Sequence, residues 1–215
     1  MILKKLEVMA WPGHLTNCYI IADEVTKEAM IIDPGNEANK IIDMINILEV
    51  KVKYIVLTHC HADHIMAVPE LKEKLGGMVV ASRIESDLMN SNGMTLFSNL
   101  GLPVVEINVD SRVDDNDIIH LGNIQFKVIT TPGHTIGSMC LYCSENKLLL
   151  SGDTLFSGAW GRTDLPTSSF EDIIASISNK LMILPEDTIV YPGHGKPTMI
   201  SEETNIYLGL KPKKW

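Results

Sequence analysis

The stretch Thr58-His59-Cys60-His61-Ala62-Asp63-His64 sets three imidazoles and a carboxylate almost side by side, directly after the β-branched run Tyr54 to Leu57. By chance, an H-x-H-x-D-H pattern arises in roughly one chain in a few thousand of this composition. In an extended segment alternate side chains share a side, so His59 and His61 point together. Asp63 and His64 lie past the bend into the next helix and face elsewhere. One loop therefore has the means to serve two adjacent metals, since imidazole and carboxylate are donors that divalent cations take. The bland alternative, a few hydrogen-bonded histidines at strand ends, leaves the clustering unexplained.

Further along the chain, Pro132-Gly133-His134 and Pro192-Gly193-His194-Gly195 each follow an apolar strand-like run, as does Ser151-Gly152-Asp153. Loops at strand ends are where a rigid scaffold presents function. The candidate ligands are then His59, His61, Asp63, His64, His134, Asp153 and His194. Five imidazoles and two carboxylates exceed what one tetrahedral metal accepts and suit two metals sharing a bridging carboxylate. Taken alone, Asp153 would be an ordinary turn residue.

Between these loops the pattern is mixed. Ile20–Ile21 and Ala29 to Ile32 read as paired strands, stopped by Asp33-Pro34-Gly35-Asn36. Ile41, Ile42, Ile45 and Leu48 recur at helical spacing, and the apolar positions from Ile65 to Leu75 do so again, with Pro69 at a helix entry or kink. Val79–Val80, Val104 to Val109, Ile118 to Leu121, Ile124 to Thr130, Met139 to Cys143 and Leu148 to Leu150 read as strands. A helix over Phe170 to Leu184, capped by Ser168 or Ser169, and a strand over Thr188 to Tyr191 close the pattern. No repeat or linker divides residues 1–215, so one domain is expected, with helices covering two groups of strands.

Composition fits this reading. The chain has 215 residues, 45% hydrophobic and 21% charged, which excludes a disordered or fibrous protein. Its net charge of −9 has the wrong sign for holding nucleic acid or an anionic membrane. Cys18, Cys60, Cys140 and Cys143 are too few and too scattered for a disulfide framework, and MILKKLEVMA lacks a signal-peptide core, so a reducing cytoplasm is expected. Cys60 reads as a packed small residue, and Cys140 and Cys143, on opposite faces of a strand, do not form a redox pair. His14 and His120 lie outside the motifs and read as ordinary satisfied or exposed histidines.

These loops, with Thr131-Pro132-Gly133-His134-Thr135, Ser151-Gly152-Asp153-Thr154-Leu155-Phe156 and the early Asn17-Cys18-Tyr19 and Asp33-Pro34-Gly35, resemble the metallo-β-lactamase superfamily, and within it the glyoxalase II-like hydrolases. The resemblance covers nearly the whole chain, in the family's order. It implies an α+β four-layer αβ/βα sandwich with two divalent metals at one edge of its sheets. His59, His61 and His134 would hold the first, Asp63, His64 and His194 the second, and Asp153 would bridge them. Zinc is the first choice, and iron or manganese suit the same ligands.

Asp153 argues against antibiotic hydrolysis, because metallo-β-lactamases generally lack that bridging aspartate. Flavodiiron relatives usually carry Glu where His61 stands, and the ribonucleases of the superfamily carry further motifs not seen here. The implied activity is hydrolysis of a thioester, S-lactoylglutathione or a related acyl-thiol, by a bridging hydroxide that Asp63 helps to orient. A thiol of pKa about 8.5 leaves as thiolate without a general acid. Full-length glyoxalase II continues into a helical domain that grips glutathione. The chain is expected to be a short form without it, which leaves the thiol carrier open.

Gly161-Arg162-Thr163-Asp164 looks like the loop that short glyoxalase II-like proteins share with the persulfide dioxygenases. It makes Arg162 a candidate for a substrate carboxylate, beside Arg83 and Lys196, with a surface pair of Arg162 and Asp164 as the competing reading. Asp33 is a candidate partner of a ligand histidine. The rival functions are a mononuclear iron persulfide dioxygenase built on His59, His134 and Asp153, and a non-catalytic metal-binding protein.

Overall fold

Alternation along the strands divides the apolar core into three parts, which stack as layers. The computed structural model describes residues 1–208. Cys18, Ile20, Ile55 and Leu57 belong to a first cluster that reaches Ile41 and Ile45 of helix α1 (Ala38–Leu48) and Leu71 of α3 (Val68–Leu75). Their neighbours Tyr19, Ile21 and Val56 belong to a second cluster, with Phe126, Val128, Leu141 and Leu150. Cys140 and Leu149 belong to a third, against Ile173, Ile177 and Leu181. Period-2 strands with both faces buried therefore lie in the middle, and helices close each side.

The first sheet runs β1 (Ile2–Trp11), β2 (His14–Ala22), β3 (Glu28–Ile32), β4 (Lys51–Leu57), β5 (Met78–Ser82) and β6 (Ser111–Val113) in spatial order. The β1–β2 and β2–β3 pairs are antiparallel, and the remaining pairs are parallel. The second sheet is formed by β7 (Ile118–Leu121), β8 (Ile124–Thr130), β9 (Met139–Cys143), β10 (Leu148–Gly152), β13 (Ile189–Pro192) and β14 (Thr198–Met199), in the order β14-β13-β10-β9-β8-β7. Its β10–β13 pair is parallel. Between β5 and β6 lie the short helices α4 (Arg83–Leu88) and α5 (Asn92–Thr95), and between β10 and β13 the small hairpin β11 (Leu155–Phe156) and β12 (Ala159–Trp160) and the helix α6 (Phe170–Ser176). That helix runs on into a π turn over Ile177–Leu181, and Ser169 caps it by accepting from Asp172 N at 3.2 Å.

The terminal helix α7 (Ile200–Leu208) braces that hairpin. Buried Glu203 accepts from Gly158 N with both oxygens at 3.0 Å, and Tyr207 Oη donates to Ala159 O at 2.7 Å. Just past the end of β2, Asp23 ties the two sheets together by accepting from Asn123 N and Nδ2 at 2.6 and 2.9 Å. None of the described helices is long and apolar enough to cross a membrane.

Two expectations change. Val104 to Val109 is not a strand, because Asn90 answers the main chain of Ile107 in both directions, at 2.9 and 3.0 Å, and β6 takes the free edge of β5 instead. The apolar positions from Ile65 to Leu75 fall into two helices, α2 (Ala62–Ile65) and α3, with Pro69 in the first turn of the latter. All four cysteines are buried and free.

Candidate metal centre

The ligand-bearing loops leave the C-terminal ends of β4, β8, β10 and β13, so both sheets deliver them to one edge. There the sheets are joined by Met139 N donating to Thr58 O at 3.0 Å and Asn17 N donating to Gly193 O at 2.7 Å. Asn17 and Tyr19 of β2 hold the His194 loop. Asn17 Nδ2 donates to Pro192 O and Gly195 O, both at 2.9 Å, and Tyr19 Oη donates to Pro192 O at 2.7 Å. Gly152, at φ 48°, leaves no room for a Cβ beside the Thr58 side chain, so only glycine turns Asp153 into the site here.

His59, His61 and His134 bring one nitrogen each within 4.8 Å of one another, and His64, Asp153 and His194 do the same with their donor atoms. In the first group His61 Nδ1 lies 2.8 Å from His134 Nε2. In the second, His64 Nε2 is 3.4 Å from His194 Nε2 and 3.5 Å from Asp153 Oδ1. Asp63 Oδ2 lies 3.2 Å from His194 Nε2 and 3.5 Å from His64 Nε2. Asp153 stands between the groups, its Oδ2 3.6 Å from His134 Nε2 and 3.4 Å from His194 Nε2.

Most of the rings are held from behind. His134 Nδ1 donates to Arg162 O at 2.9 Å, and His194 Nδ1 donates to Leu15 O at 2.7 Å. His64 Nδ1 faces Asp33 Oδ2 at 3.1 Å, and His59 Nδ1 faces Thr58 Oγ1 at 3.1 Å. Asp33 also accepts from Thr58 N and Oγ1 at 2.8 and 2.7 Å, so it is indeed the partner of a ligand-type histidine. Holding one ring nitrogen aims the other, the arrangement found around metal-binding imidazoles.

The residues fit a cation. His59 Nε2 and Asp153 Oδ1 are buried without a hydrogen-bond partner, a costly state for polar atoms unless something else meets them. Burial holds the His59 imidazole well below its usual range and His61 down to about 3, so both keep free lone pairs. Burial acts in the same direction on His64 and His194, but Asp63 and Asp153 outweigh it and raise them to about 9 and about 11. Burial pushes the Asp63 carboxyl up, yet His64, His14 and His194 hold it well below the carboxylate range. The carboxylates thus draw positive charge into the space between the rings, as protons or as metal.

Beside the carboxylates opens a cleft of about 290 Å³, walled by Trp11, Leu96, Leu100, Phe156, Trp160 and Leu165. Arg162 reaches its rim, but the guanidinium pairs with Asp164 at 2.9 and 2.8 Å, both side chains two-thirds exposed. The pair is thus an exposed surface pair that borders the cleft. Arg83 is engaged by Asp114 at 2.7 Å and lies outside the cleft lining.

Two residues were not singled out as functional from the sequence. His14 Nε2 sits 2.8 Å from Asp63 Oδ2 with its ring stacked on Trp11. Buried Glu85 accepts from Thr135 Oγ1 at 2.7 Å and Gly137 N at 3.0 Å, anchoring the loop that follows His134.

Two stacked sheets with paired imidazole–carboxylate groups at one shared edge make a frame for divalent cations, and the chain's relatives include probable metallo-hydrolases. A family model of the metallo-beta-lactamase superfamily matches residues 11–194, and the chain belongs to that superfamily. It is 34% identical to hydroxyacylglutathione hydrolase GloC of Haemophilus influenzae over 210 residues, covering 96% of this chain and 99% of that one. The crystal structure of BLEG-1, described as a B3 metallo-beta-lactamase, superposes with a TM-score of 0.88 at 33% identity, over 95% of this chain and 97% of that one. TTHA1623 in a di-iron-bound form follows with a TM-score of 0.81 at 29% identity, over 93% and 96%.

Proposed function

We propose that this chain hydrolyses an acyl-thioester, with S-lactoylglutathione (a hydroxyacylglutathione) as the first substrate to consider, using two divalent metal ions. His59, His61 and His134 would hold one ion, Asp63, His64 and His194 the other, and Asp153 would be shared. Zinc is the first choice, and the di-iron-bound form of TTHA1623 supports both a pair of ions in this frame and iron as an alternative. The observation that carries the proposal is the station of Asp153, within 3.6 Å of a ring nitrogen from each imidazole group. The relation to GloC supports the thioester.

Bound there, such ions supply a water acidified towards neutrality and a Lewis acid for the carbonyl oxygen. The remaining work belongs to the chain. Asp63, kept ionised, accepts a hydrogen bond from the attacking water and so turns a lone pair towards the carbonyl carbon. The apolar cleft walls take the acyl group and exclude bulk water, which strengthens the electrostatics at the reacting centre. A thiolate leaves unaided, which suits a cleft whose two carboxyls are both held ionised. Arg162 meets a substrate carboxylate by exchanging its exposed pair with Asp164, an interaction of the kind that contributes little to stability.

The test is steady-state hydrolysis of S-lactoylglutathione by purified protein, with metal analysis, chelator and metal added back. Chelator-sensitive turnover at a kcat/KM of about 10⁴ M⁻¹s⁻¹ or more, with two ions per chain, is expected. Absence of turnover with two ions bound would overturn the glutathione thioester and move the search to other thiol carriers. One bound iron with oxygen uptake on glutathione persulfide would identify the dioxygenase instead.

A further inference from the structure

Asp63 Oδ2 is surrounded by more polar atoms than one carboxylate oxygen can accept from. His14 Nε2 lies at 2.8 Å, His194 Nε2 at 3.2 Å, Thr16 Oγ1 at 3.3 Å and His64 Nε2 at 3.5 Å. An ionised carboxylate oxygen offers about two lone pairs. Three imidazole nitrogens converging on one such atom therefore describe a common cation position better than three hydrogen bonds.

Distances carry the point further. With metal–nitrogen bonds of about 2.0–2.1 Å, the ligand atoms of a tetrahedral ion stand about 3.3 Å apart, and those at a right angle in an expanded sphere about 2.9 Å apart. Asp63, His64, Asp153 and His194 lie 3.2 to 3.5 Å from one another in the pairs Asp63–His194, Asp63–His64, His64–Asp153 and His194–Asp153. His14, at 2.8 Å from Asp63, matches the shorter edge. His14, Asp63 and His194 also form a donor trio within 4.8 Å of their own. The imidazole of His14 is fixed in that attitude by Trp11, whose ring lies 4.2 Å away at an interplanar angle of 6°. Main-chain pairing of Trp11 with His14 across the β1–β2 turn sets the stack.

We propose that His14 is an additional ligand of the second metal position, which then draws on Asp63, His64, His194, Asp153 and His14. The inference rests on the metal reading above. It makes that position richer in imidazole than the first one is in carboxylate, and places one ligand on the cleft side of the ion, where Trp11 joins the wall.

The decisive measurement is NMR of protein labelled with ¹⁵N-histidine and loaded with ¹¹³Cd(II), compared with its His14→Ala variant. A one-bond coupling between cadmium and a ring nitrogen that disappears in the variant, while the other histidine couplings remain, is the expected result. Competition titration should show one of two cadmium ions losing more than about 100-fold in affinity in His14→Ala, beyond the 10–100-fold typical of a merely supporting group. The other ion should stay within about threefold, which also reports an intact fold. If the wild-type protein couples cadmium to its other histidines but none of the signals is lost in His14→Ala, His14 is a hydrogen-bond donor to Asp63 and the proposal is overturned alone. If no histidine couples to cadmium at all, the metal reading itself falls with it.

Discussion

The main-chain carbonyl of Arg162 accepts the Nδ1 hydrogen bond of His134 at 2.9 Å, while the guanidinium of the same residue turns outward to Asp164. The loop therefore serves the metal centre through its backbone and the cleft rim through its side chain. A Cβ at Gly161 would collide with the carbonyl oxygen of Asp153 and stand 2.9 Å from His134 Nδ1. Gly161→Ala should accordingly cost more than about 100-fold in activity together with metal, whereas Arg162→Ala should retain its metal and change kcat/KM by less than about tenfold, mostly in KM. Metal content by mass spectrometry beside steady-state kinetics separates the two, and loss of metal in Arg162→Ala would contradict this division.

Asp153→Ala and His61→Ala should each remove metal and activity together. Asp153 is the proposed shared carboxylate, and its loss leaves the first imidazole group with no carboxylate and the second with Asp63 alone. Full activity in either variant would sink the ligand assignment.

Asp33→Ala acts one step removed. It strips His64 of its Nδ1 partner and Thr58 of two hydrogen bonds, so metal affinity should fall by about 10–100-fold with the fold retained. A metal-buffer titration checks it, and an unchanged dissociation constant would show that Thr58 and packing suffice to aim the ring.

Acid stability should depend on Asp23, far from the centre. Hydrogen bonds from the main-chain N–H groups of Asn123 and Val25 hold its carboxyl down to about 2. A folded value below the unfolded one, about 3.9, means the contribution is complete above pH 4 and is lost as pH falls towards 2. Urea midpoints of the wild type and Asp23→Asn should differ at pH 7 and converge between about pH 4 and pH 2. A gap independent of pH would place the effect in packing.

Hydrolysis of a β-lactam, measured with a chromogenic cephalosporin, should run at least about 100-fold below that of the best thioester in kcat/KM. An amide nitrogen needs a proton to leave, and Asp63 and Asp153, ionised as metal-binding carboxylates must be, have none to give. The similarity to BLEG-1 makes this a discriminating measurement, because equal rates would show that leaving-group chemistry does not sort the two substrates here.

Much of the centre was legible in the sequence because its donors sit in short motifs at strand ends, where local spacing fixes which side chains share a side. Asp33 was legible for a similar reason, as a carboxylate at a strand end. His14 was not, since its approach to Asp63, 49 residues further along the chain, depends on how β2, β3 and β4 assemble side by side in the sheet. The cleft walls hid for another reason. Leu96 and Leu100 come from the irregular connection between β5 and β6, and Trp160 from the β11–β12 hairpin, none of which carries a periodic signal. Val104 to Val109 misled because its composition suits a strand while Asn90 supplies the hydrogen bonds that a neighbouring strand would have given.

Each of the two proposed ion positions draws on both sheets: His59 and His61 meet His134, and Asp63 and His64 meet His194 and Asp153. During synthesis the first four of these emerge together, ahead of His134, Asp153 and His194. A nascent chain that has made only the first sheet therefore owns half of each ligand set and no complete one. Metal capture at full affinity becomes a record that the two halves have closed on each other, and an ion once bound works as a rivet across the seam between them.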